Sequence, residues 1–441
     1  MSLNKKDLNM LEELNFKGKI SLLELSKKYE VSERNIRYNI ENLNFYLSKA
    51  FLAEIILKKG EVSWKGSKDE LINFIKNIDS DNYIFSREER EKFILITYLF
   101  SSNTKITNIE KYLKVSRPTI KKDILSLNEY LKKFELEFIR EDNFLYIGGK
   151  EKKLRHLKLL NLLEFIEIKN GTINFIPKFY ITERVESNLI KEYLQDIDTS
   201  LFFPSILKIE KQLNVTFEEN FKNLMYIYLI PTIERIKKGN IILKKNNSEF
   251  LKTLTDYRII KKILEEIIPK EFEFEFLHLT EYFISGYYSH NFSENLSLVE
   301  KFLEKFSKDL SSSLNFDFYN LLDYREEILK YLLPAVYRIK NNFFLIKNKK
   351  TPLLNENVYK AVKAAVLSSN FIMKEPFQED EIIFLTQISE KYIKLEKEKK
   401  ISLSKLLDII KNNSSSINEE NLIQELLINF KDKIENDKNN H

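Results

Sequence analysis

The chain has 441 residues, 71 of them basic and 66 acidic, so its formal net charge of +5 makes it no polycation and any nucleic-acid surface has to be local. It has no cysteine, which excludes disulfides, thiolate metal sites and thiol nucleophiles, and its eight glycines form neither a G-x-G-x-x-G turn nor a phosphate-binding P-loop. Eight Gly and eight Pro are too few for turn-rich β folds, so a mainly α chain of about three domains is expected, at roughly 150 residues each. The four histidines at 156, 278, 290 and 441 are scattered without metal-ligand spacing. No metal, cofactor or catalytic constellation is read, and no enzyme is expected. The opening MSLNKKDLNMLEEL is charged and lacks the apolar core of a signal peptide. The apolar run FILITYLF at 93–100 is far short of a membrane span. A cytoplasmic protein without a membrane partner is the expectation.

The first elements come as a repeat. Residues 20–47 and 106–131 align with Val31 on Val115, an offset of 84 that also pairs Ser32 with Ser116, Ile36 with Ile120, Ile40 with Ile124, Leu43 with Leu127 and Asn44 with Asn128. Each copy carries the i, i+4, i+7 apolar stripe of an amphipathic helix, and Ser32 and Ser116 stand where N-caps belong. A shorter helix precedes each, at 22–29 and 109–113, and so tight a junction gives helix-turn-helix geometry. After each second helix the period shifts towards 2, with hairpins ending at Gly66 and at Gly148 and Gly149. Helix-turn-helix plus hairpin is a winged helix. Beyond about residue 160 no further wing is read, and long helices dominate.

Once the stripes are buried, the opposite faces show Glu33, Arg34, Arg37, Tyr38 and Glu41 in the first copy and Arg117, Pro118, Lys121, Lys122 and Leu125 in the second. Side chains at the start of a recognition helix reach base edges and phosphates in the major groove. The candidates for contact with double-stranded DNA are therefore Ser32, Arg34, Asn35, Arg37 and Tyr38, with Ser116, Arg117, Thr119, Lys121 and Lys122. Residues 116–133 hold five basic and two acidic side chains against three and two in 32–49, so the second unit is expected to carry more of the affinity.

A second repeat follows: YLIPTIERIKK at 228–238 matches YLLPAVYRIKN at 331–341. Pro231 and Pro334 imply the same bend twice, and Arg235 and Arg338 one turn later invite carboxylate partners. With VSRPTIKKDILSLN (115–128), GKEKKLR (149–155) and TPLLNENV (351–358), the sequence resembles BglG/Mga-like bacterial transcription regulators that carry phosphotransferase-system regulation domains. The resemblance implies winged helices at 1–78 and 84–160, helical regulation domains at 185–295 and 296–400, and a short helical, partly frayed tail at 401–441. It also implies a homodimer, a phosphotransferase-system protein as partner, and transcriptional activation.

In that family a histidine of the H-L-x-P motif accepts phosphate, as does a second one further along. This chain has Tyr228 and Tyr331 at the first position, and Tyr288 and Ile388 at the second. A tyrosine phosphate ester does not hand its phosphate back as phosphohistidine does, so these sites read as degenerate, with His290 as the nearest substitute. Two other readings stay open. An RNA-binding antiterminator of the same group usually opens with a small all-β domain, which these helices do not resemble. A helical adaptor that has lost DNA binding is kept alive by Glu33, Glu41 and Glu110.

Overall fold

The computed structural model describes residues 2–101, 104–141, 144–245, 247–287, 293–341, 355–373 and 376–399, with 401–402 and 434–435. Tyr288, His290, residues 351–354 of the TPLLNENV motif and nearly all of the 401–441 tail lie outside the described residues. The described part is mainly α-helical, as the sequence predicts, with small sheets that are antiparallel except for the two-residue pairing of 401–402 with 434–435. It divides into two compact units, Met1–Leu213 with Lys222–Leu277, and Asn214–Phe221 with His278–His441.

The first unit opens with α1 (Lys5–Lys17), β1 (Lys19–Ser21), α2 (Leu22–Tyr29), α3 (Glu33–Lys49), β2 (Ile56–Lys58), β3 (Glu61–Ser63) and α4 (Lys68–Lys76). Asn4 and Asp7 close a capping box on α1, and Leu8, Leu11 and Leu14 bury its inner face. Neither α1 nor β1 is among the elements expected from the sequence. The strand is only three residues long with one buried side chain, Ile20, yet it completes a sheet of order β1-β3-β2 by pairing Ile20 with Val62.

A second winged helix follows, with α5 (Arg87–Phe100), α6 (Ile106–Leu113), α7 (Arg117–Lys132), β4 (Leu136–Glu141) and β5 (Phe144–Gly149). The turns between α2 and α3 and between α6 and α7 share one conformation: Glu30 has φ 53° and Lys114 φ 54°, both left-handed. Asn44 and Asn128 also share a duty. Asn44 bonds Ile55 through both its amide nitrogen and its oxygen (2.9 and 2.7 Å), and Asn128 accepts from the Phe138 N–H at 2.8 Å. Each asparagine thus fixes the strand that follows its recognition helix. At the end of the second wing Gly149 has φ 137°, and a Cβ there would come within 2.6 Å of the Glu135 carbonyl oxygen, so only glycine fits.

The two caps differ. Ser32 accepts from the Asn35 N–H at 3.2 Å, whereas the Ser116 hydroxyl lies 3.0 Å from the Thr119 hydroxyl and caps no backbone N–H. Ser32→Ala is expected to cost about 1 kcal/mol. Ser116→Ala should cost distinctly less, and urea unfolding of the two variants tests the ranking.

The chain continues through α8 (Glu151–Leu162), β6 (Ile166–Lys169), β7 (Thr172–Phe175), α9 (Ile181–Gln195), α10 (Phe202–Leu213), α11 (Glu219–Lys237), α12 (Ser248–Thr253), α13 (Thr255–Leu264) and α14 (Glu273–Ile284). The antiparallel β6–β7 hairpin corrects the expectation that no wing-like element follows residue 160. Its turn is Asn170-Gly171, with φ 52° and 73°, between alternating apolar residues. That dipeptide is the strongest short-range hairpin signal a sequence offers.

The second unit is built on α15 (Ser293–Leu314), α16 (Leu322–Asn341), α17 (Glu356–Met373) and α18 (Glu379–Lys399). α15 packs against α16 and α17, and α18 packs against the same two helices. Phe302, Phe306, Leu332, Val362 and Leu385 fill the space between them. Pro231 sits inside α11 and Pro334 inside α16, and neither ends its helix.

Candidate nucleic-acid interface

The stripes are buried as expected: Ile36, Ile40 and Leu43 in α3, and Ile120 and Leu127 in α7, although Ile124 is only half-buried. Ser32, Arg34, Asn35, Arg37 and Tyr38 are all exposed, as are Ser116, Arg117, Lys121 and Lys122, while Thr119 is half-buried beside Ser116. Arg34 leans on Tyr38, with its guanidinium 5.7 Å from the ring centroid and an Nη donating to the hydroxyl at 3.4 Å. Arg117 faces the half-buried Glu110 at 3.9 Å, a loose pairing that leaves the guanidinium exposed.

Asp123 corrects the charge balance of α7. By position it counts as one of the two acids of residues 116–133, but it is buried and held by Arg90 of α5 through bonds of 2.8 and 3.1 Å. It orients the recognition helix and presents no charge outward. Glu129 pairs with Lys132 at 2.8 Å. Arg117, Lys121 and Lys122 therefore stand on a face with no exposed carboxylate among residues 116–128, whereas Glu33 and Glu41 are exposed on α3. The electrostatic contrast between the two units is larger than residue counting gives.

Behind the second wing, α8 joins this module to the helices that follow. The Arg155 side chain is fully buried: it donates to both Glu275 oxygens at 2.6 and 2.8 Å, to the Asn240 carbonyl at 2.9 Å and to Glu151 at 2.9 Å. Glu151 in turn accepts from Arg235 of α11, from Nε at 2.9 and 3.2 Å and from Nη2 at 2.7 Å. Lys158, one turn further along α8, donates to Glu234 at 2.7 Å, and burial lowers its pKa to about 8. Burial pushes the Glu234 carboxyl up, but Lys158 and Lys238 outweigh it and hold the group below its usual range. Arg235 thus has the carboxylate partner its sequence invites, and so does Arg338, whose Nε donates to Glu381 at 2.7 Å.

The positions of the family's phosphorylatable histidines are occupied as follows. Tyr228 is buried within α11, and Ile388 is buried within α18. Tyr331 is half-buried, donates its hydroxyl to Glu381, and stacks on Phe384 with centroids 4.1 Å apart. Burial pushes the hydroxyls of both tyrosines well above the ordinary phenol range. Tyr288 and His290 lie outside the described residues. Among the described residues no group of His, Asp and Glu side chains is arranged to hold a metal ion, and no helix is long and apolar enough to cross a membrane.

Residues 81–162 match the family model described as the Mga helix-turn-helix domain. The chain carries an Mga helix-turn-helix domain. It takes in α5, α6, α7, the second wing and α8, so the helix bearing Arg155 is part of the matched module. Over 204 residues the chain is 27% identical to a Streptococcus mutans protein named as a putative transcriptional regulator, MtlR, a match covering 46% of this chain and 30% of that protein. It is 22% identical over 254 residues to the transcriptional regulator ManR of Bacillus subtilis, covering 56% of this chain and 37% of that one. The chain spans about a third of the length of these curated relatives. The likeness carried by VSRPTIKKDILSLN is thereby borne out, and the proteins the chain is similar to are named as transcriptional regulators.

One buried group near the Mga domain has no signal in the sequence. Glu186 of α9 is 1% exposed, and among the described residues neither of its carboxyl oxygens nor the Tyr112 hydroxyl of α6 has a hydrogen-bond partner. Burial raises the Glu186 pKa to about 7, opposed by Lys92 and Lys178 and assisted by Glu183 and Glu164. An acid whose folded pKa lies above its unfolded value leaves the fold undisturbed at low pH. It destabilises the fold progressively as pH rises from the unfolded value through the folded one. The chain is expected to lose about 2 kcal/mol between pH 5 and pH 8 relative to Glu186→Gln. Urea unfolding of both proteins across that range checks it, and parallel profiles would refute the assignment.

Proposed function

We propose that this chain is a DNA-binding transcription regulator, an activator that acts in the cytoplasm as a homodimer. Its two winged helices would dock on double-stranded DNA through Ser32, Arg34, Asn35, Arg37 and Tyr38, and through Ser116, Arg117, Thr119, Lys121 and Lys122. The observation that carries this reading is the cationic start of α7, with no exposed carboxylate among residues 116–128, within a domain that matches the Mga helix-turn-helix family. Two-fold pairing would match the protein to repeated half-sites, since one recognition helix of modest charge gives little affinity alone. Selection from a random duplex library with the purified chain tests the reading: an enriched motif with paired half-sites is expected. Recovery of no motif would favour the adaptor reading.

The helical regions at 185–295 and 296–400 are proposed as regulation domains that retain dimerisation or partner binding and have lost phosphate acceptance. Supporting this, Tyr331 is committed to Glu381, and Tyr228 and Ile388 are buried, so none of the three offers a transferable-phosphate acceptor. Incubation with the phosphotransferase components and labelled phosphoenolpyruvate should leave Tyr228, Tyr288, Tyr331 and Ile388 free of acid-labile phosphate. Stoichiometric label on His290 would show a relay surviving at a shifted site.

A further inference from the structure

A cavity of about 550 Å³ lies within the first unit, where the exit of β7, the first turns of α9, Tyr112 of α6 and the 78–80 segment between the winged helices meet. Its size falls within the range of small-molecule sites, roughly 300–1,000 Å³. Phe175, Pro177 and Ile181 give it an apolar wall. Three cations border it: Lys178, Arg184 and Lys191. Their partners set this place apart from the rest of the surface, where many lysines are paired with carboxylates.

Lys178 rests over the Phe165 ring at 4.9 Å and Lys191 over Phe175 at 5.3 Å, and no carboxylate lies within ion-pair distance of either among the described residues. Arg184 spends its Nη atoms on the carbonyl oxygens of Lys76 and Ile78, which do not neutralise the charge, and its buried Nε has no hydrogen-bond partner among the described residues. Asp79 is the one acidic residue of the lining, and its Oδ1 accepts from the Asp81 N–H and the Ser80 hydroxyl, each at 3.3 Å. Among the lining residues three cations face one acid, and the nearby Glu186, which Lys178 also acts on, is buried with its pKa raised towards the neutral form. Two further features favour an anion. α9 begins at this cavity with no side-chain cap on its first turn, so the positive end of the helix dipole faces it, offset in part by Glu183 of that turn. Ser187 and Asn188 line the same space and supply neutral polar groups.

We propose that this cavity binds a small organic anion bearing a phosphate ester or several carboxylates. Lys178 and Lys191 hold the charged end, Arg184 completes the positive field, and Phe175 and Pro177 cover the organic part. A ligand there touches the segment joining the two winged helices, so its occupancy restrains that segment. Binding needs no DNA, so the proposal stands or falls apart from the reading of the chain as a regulator.

The test is calorimetric titration of the full chain, at constant ionic strength, with inorganic phosphate, glucose 6-phosphate and citrate in turn. Saturable binding of at least one probe in a 1:1 ratio is expected. A response to both phosphates and not citrate identifies a phosphate site; a response to citrate alone identifies a carboxylate site. Lys178→Met and Lys191→Met should each weaken binding about tenfold, as the removal of a charge-assisted hydrogen bond does, while Lys58→Met on the first wing leaves it unchanged. Hydrogen exchange at 77–84 should slow in the bound chain, a readout available even where a variant folds poorly. The proposal is overturned if none of the three probes saturates, or if the double Lys178→Met/Lys191→Met variant folds and binds as tightly as the parent.

Discussion

Replacing Lys121 and Lys122 together by glutamate is expected to weaken DNA binding on the order of 100-fold at about 0.1 M salt, and to flatten the dependence of log affinity on log salt by about 0.9 for each phosphate that is no longer neutralised. Arg34→Glu with Arg37→Glu should cost clearly less. The reason is the environment of each face. Lys121 and Lys122 are exposed with Asp123 turned inward onto Arg90, so no acid offsets them, whereas Arg34 and Arg37 share α3 with the exposed Glu33 and Glu41. Arg34 is further occupied with Tyr38. Fluorescence anisotropy on a selected duplex over a range of salt gives both numbers. Equal effects in the two variants, or a greater effect in the first unit, would contradict the ranking.

Arg155→Met should be among the most destabilising single changes in the chain, at about 3–5 kcal/mol, because it leaves the fully buried Glu275 with its charge uncompensated. Glu275 then retains the Ile242 N–H, at 2.7 Å, and Glu151 retains Arg235. The double variant Arg155→Met/Glu275→Met should recover a large part of the stability, since removing both charges removes the desolvation burden as well. Urea unfolding of the two single variants and the double variant closes the cycle. A strictly additive result would mean that the pair is not coupled and that the damage comes from poorer packing.

The features legible in the sequence are those with a local period. The apolar stripes, the Ser caps, the wing after each recognition helix and the proline-bearing helices all announce themselves within a dozen residues. The offset of 84 says more than any single motif, because Glu30 and Lys114 repeat a left-handed turn and Asn44 and Asn128 repeat a strand clamp that side-chain chemistry alone would not suggest. The Asn170-Gly171 hairpin is equally local, but its strands are four residues each and the helical periodicity on both sides masks them. Other features have no local signature. Asp123 looks like any solvated acid on a Lys-rich helix until Arg90, 33 positions earlier, is brought against it. Arg155 and Glu275 are 120 residues apart, and Glu186 shows no unusual neighbours in sequence. Ion pairs of this kind follow from tertiary packing, which hydrophobic periodicity specifies only in outline.

The position of α8 bears on how such a protein can be taken apart. The family match ends at residue 162, which suggests a natural place to sever the helix-turn-helix half from the remainder. Yet Glu151, Arg155 and Lys158 lie on one side of that cut, and their partners Glu234, Arg235 and Glu275 on the other. An excised N-terminal half would carry away Arg155 without Glu275 and Lys158 without Glu234, and the remainder would keep the fully buried Glu275 without its guanidinium partner. Chimaeras that exchange reading heads between relatives should therefore succeed only when these six side chains travel together. The seam behaves as one piece, and a chimaera that divides it is expected to unfold more readily even where both halves are sound.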